Sequence, residues 1–377
     1  MCKKTAKIVL ALFLICALLA GTASAKAEET NFSIDARAYL LMDEITGRIL
    51  IEKNSEISLP MASTTKIMTA IVALENGDLS SQVKVSPKAA SMGGSSFHLV
   101  AGETMSLESM LYGLLLCSGN DAAVAIAEHI GGDVDTFVEM MNRKAREIGA
   151  LNTSYKNPHG LDEDGHYTTA RDLALIAKYA FSIPKFREIV GTKEKIINEG
   201  KFTRHIYNTN RLLRISENVD GIKTGYTGKA GRCLVATAQK NGFRLISVVL
   251  GARDHFSTSL KLLNYGFDNY ELKQLVTEGN VYAAVPVKDG VAKKAVVVAE
   301  KDIALPLREK EKVQIKISVP PFTEAPVYKG QVLGEIQIFI DSTYVCSAPL
   351  VSIQDIRKKS LFDNFYKMIK MWMFGYR

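Results

Sequence analysis

Ser63-Thr64-Thr65-Lys66 directly follows Pro60-Met61-Ala62 and opens a stretch with apolar residues at Ile67, Ile71 and Leu74, a 3/4 spacing that predicts a helix over Ala62–Leu74. Residues three apart share one helical face, so the Lys66 amine can reach the Ser63 hydroxyl. A serine is a weak nucleophile until a neighbouring base takes its proton. A lysine serves as that base when burial and nearby positive charge hold it neutral. The helix N-terminus adds backbone N–H groups pointing at a developing anion. The same S-x-x-K spacing recurs at Ser81 with Lys84 and at Ser182 with Lys185, which read as solvated loop or helix ends, so this motif alone selects nothing.

Two further motifs follow in order. Ser118-Gly119-Asn120 falls in the connection between two predicted helices, Leu107–Leu116 and Ala122–His129. There a hydroxyl can relay a proton and a carboxamide can hold a substrate carbonyl. S-x-N recurs at Ser216 to Asn218, so this match is also weak by itself. Lys223-Thr224-Gly225 occurs once, just before a predicted hairpin, and suits an edge strand: Lys223 facing an anionic group, Thr224 bonding a carboxylate, and Gly225 letting a ligand approach the backbone. Together, in the order S-x-x-K, S-x-N, K-T-G, the three motifs match the signature of penicillin-binding proteins and class A β-lactamases.

At these residues the chain resembles the low-molecular-mass penicillin-binding proteins, the serine-type D-alanyl-D-alanine carboxypeptidases of the peptidase S11 kind. Asn157-Pro158-His159-Gly160-Leu161 and Asp220-Gly221-Ile222-Lys223-Thr224-Gly225 add to the likeness. The resemblance implies that Ser63 attacks the penultimate D-alanine carbonyl of a peptidoglycan stem peptide ending in D-Ala-D-Ala, that water hydrolyses the acyl-enzyme, and that β-lactams acylate the same serine. Lys66 would accept the Ser63 proton, Ser118 and Lys223 would pass charge to the leaving amine, and Asn120 would orient the peptide. The backbone N–H groups of Ser63 and Tyr226 would hold the oxyanion. Thr224, Thr227 and Arg253 are candidates for the terminal carboxylate, and His159 for a place beside the active serine. No cofactor is expected.

Three alternatives bear on the same residues. A class A β-lactamase would carry a deacylating carboxylate in an E-x-x-L-N stretch, but Glu147-Ile148-Gly149-Ala150-Leu151-Asn152 has one residue too many. A metallopeptidase could use His159, Asp162, Asp164 and His166, but H-E-x-x-H is absent and the segment reads as a polar turn, so no metal is expected. A β-lactam-sensing or wall-binding protein would acylate without turnover, and the motifs fit it equally.

The elements that must position these residues follow from the rest of the chain. Its 377 residues exceed what one compact domain usually needs, and 47% hydrophobic with 23% charged residues excludes disorder and coiled coil. Ala38–Met42 and Arg48–Ile51 read as a hairpin at the front, and Arg232–Ala238 and Phe243–Leu250 as another around Asn241-Gly242. Arg171–Ala180 reads as a further helix. Strands at both ends with helices between them predict an α/β penicillin-binding-protein/β-lactamase-like domain, a mostly antiparallel sheet with a helical cluster. After Gln274 short strand-like segments (Ala295–Ala299, Val313–Val319, Glu335–Ile340) predict a small all-β C-terminal domain.

The net charge of +7 sits at the ends. Residues 1–25 carry three lysines and no acid, and residues 354–377 carry six Lys or Arg against Asp355 and Asp363, leaving residues 26–353 neutral. A nucleic-acid partner, which needs a basic patch on the folded body, loses its support. Lys3, Lys4 and Lys7 before the apolar run Ile8–Ala20 and Ala23-Ser24-Ala25 read as a secretory signal peptide. The tail repeats Leu361, Phe365, Met368, Ile369 and Trp372 on one helical face with lysines around it, as a helix lying on a membrane surface would. The expected organisation is a signal peptide (1–25), a catalytic domain (26–275), a β-rich domain (276–352) and an amphipathic membrane-anchoring helix (353–377), on the outer face of the cytoplasmic membrane. Cys117, Cys233 and Cys346 have no regular spacing and read as buried free thiols rather than a disulfide scaffold.

Overall fold

Five antiparallel strands form the sheet against which the site is built. β1 (Ala38–Asp43) and β2 (Ile49–Lys53) come from the front of the chain, and β3 (Val219–Thr227), β4 (Gly231–Lys240) and β5 (Phe243–Ala252) from far downstream. The order is β2-β1-β5-β4-β3, so β1 pairs with β5 and β3 is an edge strand, as the K-T-G motif requires. Asn241 and Gly242 both have positive φ in the β4–β5 turn, the conformation that an Asn-Gly pair adopts at least cost. The computed structural model describes residues 34–374; the expected leader, 1–25, lies outside them.

β4 and β5 are apolar without alternation, Cys233–Ala236 and Leu245–Leu250 being buried throughout, because the sheet is covered on both faces. On one face Leu40, Met42, Ile246 and Val248 join the core of the helical cluster. On the other lies α6 (His255–Asn269), which buries Leu262 and Leu263. Within the cluster, α1 (Lys66–Asn76) is buried from Lys66 to Ala73 and so is apolar nearly all round. It is enclosed by α2 (Leu107–Leu115), α3 (Asn120–Gly131), α4 (Val134–Ile148) and α5 (Ala170–Ser182). Each Ile, Met or Leu buried there contributes roughly 1.5–3 kcal/mol. α4 went unread in the sequence although Phe137, Met141 and Ala145, four apart, form its buried stripe and Asp133 caps its first turn through Thr136 N.

Beyond α6 the strand Glu271–Val276 pairs with Ile303–Leu307, and a six-stranded sheet encloses a second apolar core that includes Val285, Val297, Leu305, Ile336, Ile338 and Leu350. Two arginines stitch the modules together. Arg48 donates to Pro306 O and pairs with Glu311, and Arg308 donates to the Tyr265 hydroxyl and lies over the Tyr270 ring at 4.8 Å. α7 (Leu361–Phe374) ends the described chain with its large side chains outward: Leu361 and Trp372 are each 88% exposed. Among the described residues no helix is long and apolar enough to cross a membrane, and Cys117, Cys233 and Cys346 are free.

Candidate active site

Ser63 stands in a single 3₁₀ turn, Ala62–Thr65, that feeds directly into α1; the predicted helix thus begins as a tighter turn. In a 3₁₀ turn residues i and i+3 eclipse, which brings Lys66 Nζ to 3.1 Å from Ser63 Oγ. The two threonines between them tie the turn down, Thr64 Oγ1 donating to Met61 O (2.7 Å) and Thr65 Oγ1 to Ala62 O (2.8 Å).

Lys66 is fully buried, and its amine has two other neighbours, Asn120 Oδ1 at 2.7 Å and the His159 backbone oxygen at 2.6 Å. Both are pure acceptors. A neutral amine has two N–H groups and one lone pair, so two carbonyls consume its donors and leave the lone pair facing the Ser63 hydroxyl. Burial first, and the Lys223 cation second, push the Lys66 pKa well below the ordinary 10.5. Lys223, also fully buried, is lowered by burial to about 7. Burial thus disfavours the charged form of both lysines, whereas it raises the Cys117 thiol to about 11 and keeps it protonated.

The S-G-N motif meets this pair where α2 gives way to α3. Ser118 adopts a left-handed φ of 64°, and its buried Oγ has no hydrogen-bond partner among the described residues. Asn120 begins α3 with its amide turned between Lys66 and Gly93 O, to which Nδ2 donates at 2.7 Å. Asp121, which sequence reasoning passed over, holds that arrangement: its carboxylate accepts from Phe97 N, Leu99 N and the Ser96 hydroxyl, folding the 93–99 loop against the motif. Arg204 grips the same loop from the far side through Phe97 O and His98 O while paired with buried Glu103 at 2.7 Å. An acid in the first turn of a helix was the available signal for Asp121. No local signal marked Arg204, whose partners on this loop and at Glu103 lie about a hundred positions away.

The third motif lies along the open edge of the sheet. A Cβ built on Gly225 would sit 3.0 Å from Ser63 N, 3.1 Å from Ala62 Cβ and 3.2 Å from Met61 O. Glycine is thus favoured because the Ser63 turn itself approaches here, not only a ligand. Thr224 Oγ1 lies 2.8 Å from the Thr209 hydroxyl, an unforeseen partner from the loop after the Arg204–Tyr207 strand. Tyr226 projects outward, 67% exposed, with the Arg232 guanidinium over its ring.

Two proposed carboxylate anchors fare differently. Thr227 donates its hydroxyl to Asp162 at 2.7 Å, linking the strand end to the Asn157–Leu161 loop and setting a carboxylate beside it, poor surroundings for a second one. Arg253 follows β5, is 91% exposed and pairs with Asp35 at 3.1 Å, and its backbone oxygen accepts from Arg232, whose guanidinium lies over the Tyr226 ring.

His159 serves through its backbone oxygen, while burial lowers its imidazole to about 3. His166 has both ring nitrogens engaged, by Thr65 and Lys156 N. Asp164, another member of the considered metal set, sits on the surface near Lys229. Glu147, the β-lactamase-type candidate, lies on the outer side of α4, ion-paired with Lys144 at 2.8 Å. The motif copies are occupied elsewhere: Ser81 bonds His129, and Lys185 pairs with Glu108 and Glu188.

Residues 22–254 match the peptidase S11 family model, D-alanyl-D-alanine carboxypeptidase, and residues 270–358 match the C-terminal domain of penicillin-binding protein 5. The chain belongs to the D-alanyl-D-alanine carboxypeptidase family. Among family members it is 38% identical to D-alanyl-D-alanine carboxypeptidase DacF of Bacillus subtilis over 345 residues, 88% of each chain. To DacA of Escherichia coli it is 34% identical, over 90% of this chain and 88% of that one. In three dimensions it is similar to penicillin-binding protein 5 from Haemophilus influenzae, with a TM-score of 0.76, 32% identity, and coverage of 86% of this chain and 98% of that one. The family fold accounts for both modules of the carboxypeptidase, the α/β catalytic body and the β domain.

Proposed function

We propose that this chain is an exported serine-type D-alanyl-D-alanine carboxypeptidase that removes the terminal D-alanine from peptidoglycan stem peptides and is acylated by β-lactams. The observation that carries the reading is the Lys66 amine, fully buried, with two carbonyl acceptors and the Ser63 hydroxyl as its neighbours. Lys66 takes the Ser63 proton as Oγ attacks the penultimate D-alanine carbonyl carbon. The oxyanion lies between the backbone N–H groups of Ser63 and Tyr226, where strand and turn close on each other. Collapse breaks the C–N bond, and the departing amine takes the proton that Lys66 accepted, passed through Ser118, whose buried hydroxyl has no hydrogen-bond partner among the described residues, and Lys223. Water then attacks the ester, Lys66 accepts its proton, and Ser63 leaves reprotonated.

Asn120 orients the peptide from its fixed amide, and Thr224, paired with Thr209, is the best-placed group for the terminal carboxylate. The division into 26–275, 276–352 and 353–377 is supported by the two separate apolar cores, and the pairing of Glu271–Val276 draws the catalytic seam back to Tyr270. The leader supports export, and the outward-facing tail helix supports peripheral attachment to a membrane surface.

The test is D-alanine release from a diacyl-Lys-D-Ala-D-Ala peptide, with fluorescent penicillin labelling alongside. Release and labelling are both expected, and Ser63→Ala abolishes both. Labelling without release would show an acylating sensor instead, and labelling that survives Ser63→Ala would remove Ser63 as nucleophile.

A further inference from the structure

Thr65 and His166 perform no step of the chemistry, yet both are buried against the turn that carries the nucleophile. Ala62, the residue before Ser63, holds a left-handed φ of 49°, a conformation an alanine keeps only when its surroundings over-determine it. Its carbonyl oxygen accepts the Thr65 hydroxyl at 2.8 Å. The same Thr65 oxygen lies 2.8 Å from His166 Nε2, and His166 Nδ1 lies 3.0 Å from the Lys156 backbone nitrogen.

A backbone N–H can only donate, so Nδ1 carries the lone pair and Nε2 carries the proton. The chain therefore has one direction: Lys156 N–H to His166, His166 Nε2–H to Thr65 Oγ1, Thr65 O–H to Ala62 O. Tyr155 holds the imidazole edge to face at a centroid distance of 5.8 Å. Gly160 presses on the same carbonyl, where a Cβ would come within 2.0 Å of Ala62 O. Its neighbour His159 offers the backbone oxygen that binds Lys66. One loop, residues 155–166, thus grips both the base and the turn that aims the nucleophile.

We propose that His166, acting through Thr65, is a positioning residue that fixes the Ala62–Ser63 turn and so the line along which Ser63 Oγ attacks. This rests on Ser63 being the nucleophile. A misplacement of about 1 Å at a reacting atom lowers rate by about a hundredfold, so a turn that relaxes by part of that distance loses roughly tenfold.

Two matched pairs of variants test it in the full chain: Thr65→Ser against Thr65→Val, and His166→Gln against His166→Asn. Gln places a donor near the Nε2 position and Asn an acceptor near the Nδ1 position, so each keeps one of the two histidine bonds and both are comparably destabilised. The readouts are the acylation rate constant at saturating penicillin, the dissociation constant of the complex before acylation, and the melting temperature. Thr65→Val and His166→Asn should acylate about tenfold more slowly or worse with pre-covalent binding within about twofold of wild type, and Thr65→Ser and His166→Gln should retain most of the rate. Equal acylation by the Gln and Asn variants, or losses that follow melting temperature across both pairs, would overturn the proposal. If Thr65→Val does not fold, the histidine pair decides alone. Wild-type chain that penicillin fails to label at Ser63 would instead indict the nucleophile, a separate failure.

Discussion

Replacing Asn120 with aspartate tests whether Lys66 is the base. The exchange is isosteric and sets a carboxylate oxygen where Oδ1 now lies, 2.7 Å from Lys66 Nζ. At an effective dielectric of about 20, opposite charges at that distance attract by ~6 kcal/mol in favour of the ammonium form. One effect opposes this: Nδ2 now donates to Gly93 O at 2.7 Å, and a carboxylate oxygen in its place would meet another acceptor, so part of the new carboxyl population stays protonated. Even if that halves the attraction, ~3 kcal/mol remains, which is about two pH units at 1.36 kcal/mol each. A charged Lys66 has no lone pair for the Ser63 proton. The second-order acylation rate with a β-lactam, followed from pH 5 to 10, should therefore show its acid limb displaced upward by about two units. On the acid side of both limbs the rate falls by about a hundredfold, and it recovers as the pH is raised. An acid limb that stays in place while the rate drops uniformly would refute the assignment, because it would mean that Asn120 only positions the substrate and that Lys66 does not gate the reaction.

Other consequences follow from the same geometry. Gly225→Ala places a methyl against backbone atoms of the Met61–Ser63 turn, which cannot rotate away, so acylation should fall about tenfold with little loss of melting temperature; unchanged acylation would show that strand and turn do not close on each other. His159, His166 and His255 are held by burial at about 3, 4 and 4, below the ordinary 6.5. The unfolded chain therefore takes up protons below pH 6.5 that the folded chain refuses, and denaturant unfolding should show stability falling from pH 6.5 toward 4, with a shallower slope in His166→Gln. Constant stability over that window would contradict the burial of these rings. Deleting residues 354–377 should release the protein from vesicles containing anionic lipid, as read by co-sedimentation; unchanged partitioning would remove the anchoring role of α7.

Much of the site was legible because its chemistry is local. Ser63 and Lys66 sit one turn apart, and Lys223, Thr224 and Gly225 are consecutive on a strand whose edge position followed from the hairpin after it. The supports were not legible. Asp121 gathers a loop more than twenty residues upstream, Thr209 meets Thr224 across fifteen residues, and Arg204 reaches back to Phe97 and Glu103. Histidine was visible in Asn157–Leu161, but the group that acts there is a backbone oxygen, which carries no residue-type signal. Arg253 was named from a charge alone, and its link to the edge strand, a backbone oxygen that accepts from the Arg232 beside Tyr226, likewise carries no residue-type signal.

Sequence by itself picked out the proposed nucleophile, its proposed base and the order of three motifs, since covalent spacing along a turn or strand sets which side chains can meet. It also determined the neutral body with charged ends. Only tertiary structure decided that the neutral form of Lys66 is favoured, because its burial depends on α1 being enclosed by four other helices and the added charge effect on Lys223 arriving from a strand more than 150 residues away. The reason for Gly225 was likewise settled in three dimensions: the space it leaves is filled by a turn from the other end of the catalytic body, and no window of sequence contains both.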